Sequence, residues 1–133
     1  METANGTFEV KMLPQADENV GDPSVGRMAL DKVYKGDLEA TGSGHMLAVG
    51  GGVDGSAGYV AMERVNGTLD VRRGTFALMH TGIMNRGMPS LEIAVVPDSG
   101  TGDLTGISGR MTINIENGVH FYEFRYSIDS ENP

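Results

Sequence analysis

Three side chains stand where acid–base chemistry could be done: Glu63, His80 and His120. Each interrupts an alternating series of apolar residues. Glu63 falls in step with Tyr59, Ala61 and Val65, His80 with Phe76 and Leu78, and His120 with Tyr122, Phe124, Tyr126 and Ile128. A carboxylate on an apolar face has its charged form penalised, so its pKa rises toward values useful to a general acid or base. An imidazole in such a place serves as acid, base or hydrogen-bond donor near neutral pH. Blander roles are equally physical. Glu63 could pair with Arg64, Arg72 or Arg73, or simply face water, and each His could be a neutral core residue satisfied by a neighbour. Tyr59, Phe76, Met111, Tyr122 and Phe124, on these same inward-facing series, are the candidate contacts for a ligand held beside the ionisable groups.

Other chemistries lack their residues. The chain has no Cys, which removes disulfides, thiolate nucleophiles and Cys-ligated metals. His45, His80 and His120 have no short ligand spacing and no His-Glu-x-x-His run, so neither metal nor cofactor is expected. Ser99, in Pro97-Asp98-Ser99-Gly100-Thr101-Gly102-Asp103, lacks the flanking glycine pattern of a nucleophile elbow. The same segment has no P-loop Lys and does not match an EF-hand, so it reads as a turn. Nine Met residues fit either an adaptable apolar cavity or plain core filling.

A formal net charge of −8, from 18 acidic and 10 basic residues, opposes binding to nucleic acid or to anionic membrane surfaces. No basic stripe offsets it, and no apolar run reaches membrane-spanning length. The first residues lack the basic-then-apolar order of a secretion signal, so cytoplasmic residence is the default expectation. The 133 residues, 39% hydrophobic, suit one folded domain over 1–133 with its own core.

The elements that must position these groups are strands. Over residues 28–41 the even positions are Met28, Leu30, Lys32, Tyr34, Gly36, Leu38 and Ala40, while the odd positions are mainly charged. That period-two pattern is a half-buried strand or hairpin, with Lys32 the exception on its apolar face. Asn117-Gly118 is a two-residue hairpin turn. It sets Ile115 opposite His120, Ile113 opposite Tyr122 and Met111 opposite Phe124, a register in which one face is apolar and the other mostly polar. A second Asn-Gly, Asn66-Gly67, suggests another hairpin but would place Glu63 opposite Asp70, an unfavourable like-charge pair. A longer loop, a bulge or an un-ionised Glu63 would each resolve that. Further strands are expected at 7–13, 58–65, 74–84 and 91–96, and loops at 15–26 and 50–58. Strand 74–84 is apolar on both faces, which a barrel interior plus a subunit contact would cover. With 20 Gly to make bends, the chain reads as all-β, a single-domain antiparallel β-barrel of about eight strands.

Several segments together resemble a known family. These are Gly74-Thr75-Phe76-Ala77-Leu78-Met79-His80, the run from Val95 through Ser99-Gly100-Thr101-Gly102 to Gly106, Glu63, Gly67-Thr68-Leu69-Asp70, and His120 with Tyr126. The chain resembles the bacterial domain of unknown function 3224 family over nearly its whole length, departing at Val71 for Gly and at Met79 for Gln. The second departure bears on any polar role beside His80. The resemblance implies a barrel similar to those of allene oxide cyclases and dirigent proteins, usually oligomeric, which hold an apolar ligand and steer its reaction without a cofactor. No catalytic residue transfers by motif. Three readings follow: a cofactor-independent isomerase or cyclase using Glu63, His80 and His120, a lipocalin-like carrier or sensor of a small apolar molecule, and a homo-oligomeric structural protein.

Overall fold

The computed structural model describes residues 1–15 and 20–129. Its strands are β1 (Glu2–Pro14), β2 (Gly26–Gly36), β3 (Leu38–Gly50), β4 (Ala57–Leu69), β5 (Arg72–Asn85), β6 (Met88–Val95), β7 (Ile107–Glu116) and β8 (Val119–Ile128), with one short 3-10 turn at Gly102–Leu104. Each pairs antiparallel with the next, and β8 returns to β1, closing a barrel of eight strands. The 50–58 connection is a loop over 51–56, and the 15–26 connection lies partly outside the described residues. Among the described residues no helix is long and apolar enough to cross a membrane.

Alternation decides which side chains enter. Along β4, Ala61, Glu63, Val65, Gly67 and Leu69 are buried while Met62, Arg64 and Asn66 are exposed. In β2 the buried residues are Leu30, Lys32 and Tyr34, so the one charged member of the apolar series goes inside with the rest.

The Asn117-Gly118 turn is present, both residues at positive φ (51° and 80°), and the pairing is Ile115–His120, Ile113–Tyr122 and Met111–Phe124. The second hairpin differs from expectation. Asn66 and Gly67 continue β4, and the chain reverses at Asp70-Val71, with Asp70 at φ 57°. Glu63 therefore faces Leu78 across the ladder instead of Asp70, which removes the charge conflict. Gly67 serves a close approach: a Cβ there would lie 2.3 Å from the Glu39 carbonyl oxygen and 2.5 Å from the Ala40 Cα.

The two ends of the barrel differ. Toward one end Tyr34, Leu38, Val65, Leu69, Phe76, Leu78, Leu104, Phe124 and Tyr126 form a fully packed interior. Phe124 lies stacked between Phe76 and Tyr126, with ring centroids 5.6 and 5.4 Å away. The segment after β6 seals this end. Its side-chain oxygens stand in for a strand along the first half of β5: Ser99 Oγ accepts from the Ala77 N–H (3.0 Å), Thr101 Oγ1 from Thr75 (3.1 Å) and Asp103 Oδ2 from Arg73 (3.2 Å). The Ser-Gly-Thr-Gly run is thus accounted for by β5 backbone donors that lack a neighbouring strand.

Candidate functional site

At the level where the packed half ends, Glu63 is 2% exposed and accepts three hydrogen bonds. Its Oε1 receives Lys32 Nζ at 3.1 Å and pairs with His80 Nε2 at 2.9 Å, and its Oε2 receives the Tyr34 hydroxyl in a short contact. Lys32 and Tyr34 come from β2, Glu63 from β4 and His80 from β5. Lys32 Nζ also lies 4.9 Å from the Phe8 ring centroid, a cation–π contact that helps replace lost hydration. Room for the carboxylate comes from Gly42 on β3, where a Cβ would stand 2.1 Å from Glu63 Oε2.

The electrostatics reverse the expectation of a raised carboxyl pKa. Burial opposes ionisation of Glu63, but the His80 hydrogen bond, the Lys32 charge and the Tyr34 hydroxyl outweigh it, and the carboxyl is held below its ordinary value. Glu63 is therefore an ionised anchor and not a proton donor. The cations expected to pair with it do not: Arg64 is exposed, Arg72 lies 3.7 Å from Glu2, and the Arg73 backbone is tied to Asp103. Burial and the neighbouring Glu63 carboxylate together push the Tyr34 hydroxyl well above its usual pKa, so it stays protonated and donates.

Above this cluster the barrel is hollow. A cavity of about 470 Å³ opens toward the β3–β4 and β5–β6 end, walled by Val10, Leu30, Met46, Tyr59, Ala61 and Ile113 among others. Lys32, Tyr59, His80 and His120 are its ionisable lining residues, while Glu63 sits behind Lys32 and His80 and does not line it. His80 engages Glu63 through Nε2. Because a carboxylate only accepts, the ring carries its hydrogen on Nε2, and Nδ1 has no protein partner among the described residues. His120 is half-buried, with its ring centroid 5.0 Å from that of Phe8.

Of the residues expected to contact a ligand, Tyr59 lines the cavity. Phe76, Met111, Tyr122 and Phe124 belong to the packed half and take no part in its wall. Tyr122 instead points its hydroxyl to the β2–β3 turn, accepting from the Leu38 N–H at 2.9 Å. Lys32 and Tyr34 were not among the expected site residues. Their signal was present in the sequence, since Lys32 is the one charge in the even series of 28–41. His45 is exposed on the outside of β3. Among the described residues no three His, Cys, Asp or Glu side chains gather as metal ligands.

The family model described as "Protein of unknown function (DUF3224)" matches residues 4–126. The chain belongs to the DUF3224 family. A crystal structure of a protein of unknown function from this family, from Shewanella oneidensis MR-1, is 49% identical to it. It superposes with a TM-score of 0.88, the alignment covering 96% of this chain and 98% of that one. No curated protein matches. The family match takes in Lys32, Tyr34, Glu63, His80 and His120, so the cavity and its floor lie wholly within the DUF3224 region.

Proposed function

We propose that this DUF3224 barrel binds a small, mainly apolar molecule in its open half, with the polar end of the ligand against Lys32 and His80. The observation that carries this reading is the cavity of about 470 Å³, apolar on its sides and polar at its floor. Cavities of roughly 300–1,000 Å³ with a few convergent polar groups are the usual form of small-molecule sites. A fold needing only stability would fill this volume with side chains, as the other half does. The lack, among the described residues, of any Asp, Glu, Arg or Lys in the wall above the floor supports the same reading.

Native mass spectrometry of the freshly purified chain should show a retained small molecule, and anilinonaphthalene sulfonate should bind saturably at one site. Replacing Ala48 by Phe and Ala61 by Leu fills the cavity from its walls and should weaken the dye at least about tenfold, or ~1.4 kcal/mol. Dye affinity indifferent to both substitutions would place any binding elsewhere and remove the proposal.

A second reading, compatible with the first, is self-association through the outer face of β3–β5. Val60, Met62, Met79 and Ile83 stand there at 48–58% exposure, on adjacent strands. Apolar surface of this kind on a soluble barrel favours a second copy of the chain. Light scattering at micromolar concentration should give a dimer or larger for the natural sequence and a monomer for Val60→Glu/Ile83→Glu. A monomer in both would remove this reading. A cytoplasmic setting fits an acidic chain without Cys, and that too is part of the proposal.

A further inference from the structure

Carriers of apolar molecules need no base at the bottom of the pocket, yet this cavity has one. His80 is 3% exposed and lines the cavity; its Nε2 is locked to a carboxylate that is itself locked to Lys32 and Tyr34. A carboxylate donor-locked in this way fixes the tautomer and orientation of an imidazole and stabilises the cation formed when the ring takes up a proton. Lys32 keeps N–H groups beyond the one given to Glu63, and it lines the same cavity. His80 and Lys32 therefore face one mainly apolar volume.

Resting on the proposed cavity, we infer that the barrel is a cofactor-independent proton-transfer site for apolar carbonyl compounds, with His80 as the base, Lys32 as the oxyanion donor and Glu63 as the residue that positions His80. The step balances without a co-reactant. The His80 Nδ1 lone pair takes a proton from a carbon next to the carbonyl. The C–H pair becomes the C=C bond of an enolate, and the carbonyl π pair moves to oxygen, where a Lys32 N–H donates to it. Where a C=C adjoins the deprotonated carbon the enolate is a dienolate, and the imidazolium returns its proton to the far carbon of that C=C while the carbonyl re-forms and the double bond shifts one position into conjugation, giving an isomer. The charged or titratable groups facing His80 are Glu63 on β4, Lys32 on β2 and, from the cavity wall, Tyr59 on β4 and His120 on β8, with Tyr34 on β2 bonded to Glu63. Its β6 partner is Ile93, which is apolar.

Nitrobenzisoxazole tests the base directly. A base removes the one C–H proton of its isoxazole ring, the C–H pair forms the nitrile, and the N–O bond breaks to a coloured cyanophenolate, whose oxygen Lys32 would hold. The full-length chain should convert it with a rate that saturates, falls at acid pH as general-base catalysis requires, and is competed by anilinonaphthalene sulfonate. His80→Gln keeps an N–H for Glu63 and should lower the rate at least about 100-fold, the usual scale for a general base. His45→Gln, on the outside of β3, should leave it unchanged. Glu63→Gln should lower kcat while KM and dye affinity change little, and Glu63→Asp should recover part of the loss, a split that loosened packing alone would not produce. If the Glu63 or His80 variants fail to fold, the acid limb in the natural sequence and the loss of turnover in Ala48→Phe decide the matter. Binding without turnover, or turnover that follows His120 instead of His80, overturns the inference and leaves the cavity standing. Absence of binding overturns both.

Discussion

Glu63→Ala is expected to cost about 3–5 kcal/mol of folding stability, the range found when one member of a buried ion pair is removed. The loss comes from what remains. Lys32, at 7% exposure, keeps its charge with no anion, and the Tyr34 hydroxyl and His80 Nε2 lose their acceptor. Against a total stability on the order of 5–15 kcal/mol, such a change puts the barrel near its limit. Urea denaturation followed by circular dichroism reads the effect. Lys32→Met/Glu63→Leu, which removes both charges although Tyr34 and His80 still lose their acceptor, should recover part of it. A midpoint in Glu63→Ala equal to that of the natural sequence would mean that the cluster does not hold the barrel together.

The same carboxylate sets an acid limit. Its pKa in the fold lies below its unfolded value, so its ionised form stabilises the barrel in full above the ordinary carboxylate range. The contribution fades as pH falls into that range and is lost once the pH passes the lowered folded value. In Glu63→Gln the denaturation midpoint should depend less on pH across this window.

Phe124→Ala should be comparably severe, about 3–5 kcal/mol, for a different reason. The ring is 0% exposed and stacked on both faces, by Phe76 and Tyr126. Its removal leaves a void that a closed ring of strands has little freedom to collapse around. Met46→Ala, on the wall of the open half, should cost less than ~1 kcal/mol, because the side chain borders space that is already empty. The ratio of the two losses measures how unequally the halves of one barrel share its stability. Similar losses would show that the open half is packed in solution.

Much of this was legible in the chain. The even series of 28–41 names the inward residues of β2 and the start of β3, and Asn117-Gly118 with its flanking alternation sets the β7–β8 pairing residue for residue. Glu63, His80 and His120 stood out because each broke an apolar series, and each does face inward. What alternation cannot supply is height. Period two says whether a side chain enters the barrel, not how far along the axis it lies. Height is set by the stagger accumulated around the closed ring of strands, hence by every register and turn together. One such turn, Asp70-Val71, was hidden behind the stronger Asn66-Gly67 signal, which a close approach to β3 had claimed.

That is why Phe76, Met111, Tyr122 and Phe124, inward-facing as expected, pack together in the closed half, while Tyr59, His80 and His120 border the cavity. It is also why the partner of Glu63 is Lys32, 31 positions away on a strand that is not its neighbour, and not one of the nearer arginines. Inside and outside are local properties of a strand and can be read from its residue order. Level along the axis, and so which inward charges meet, belongs to the tertiary structure, because the β2–β3, β3–β4 and β4–β5 registers together bring Lys32, Glu63 and His80 to a common depth and the curvature of the barrel turns them toward one another.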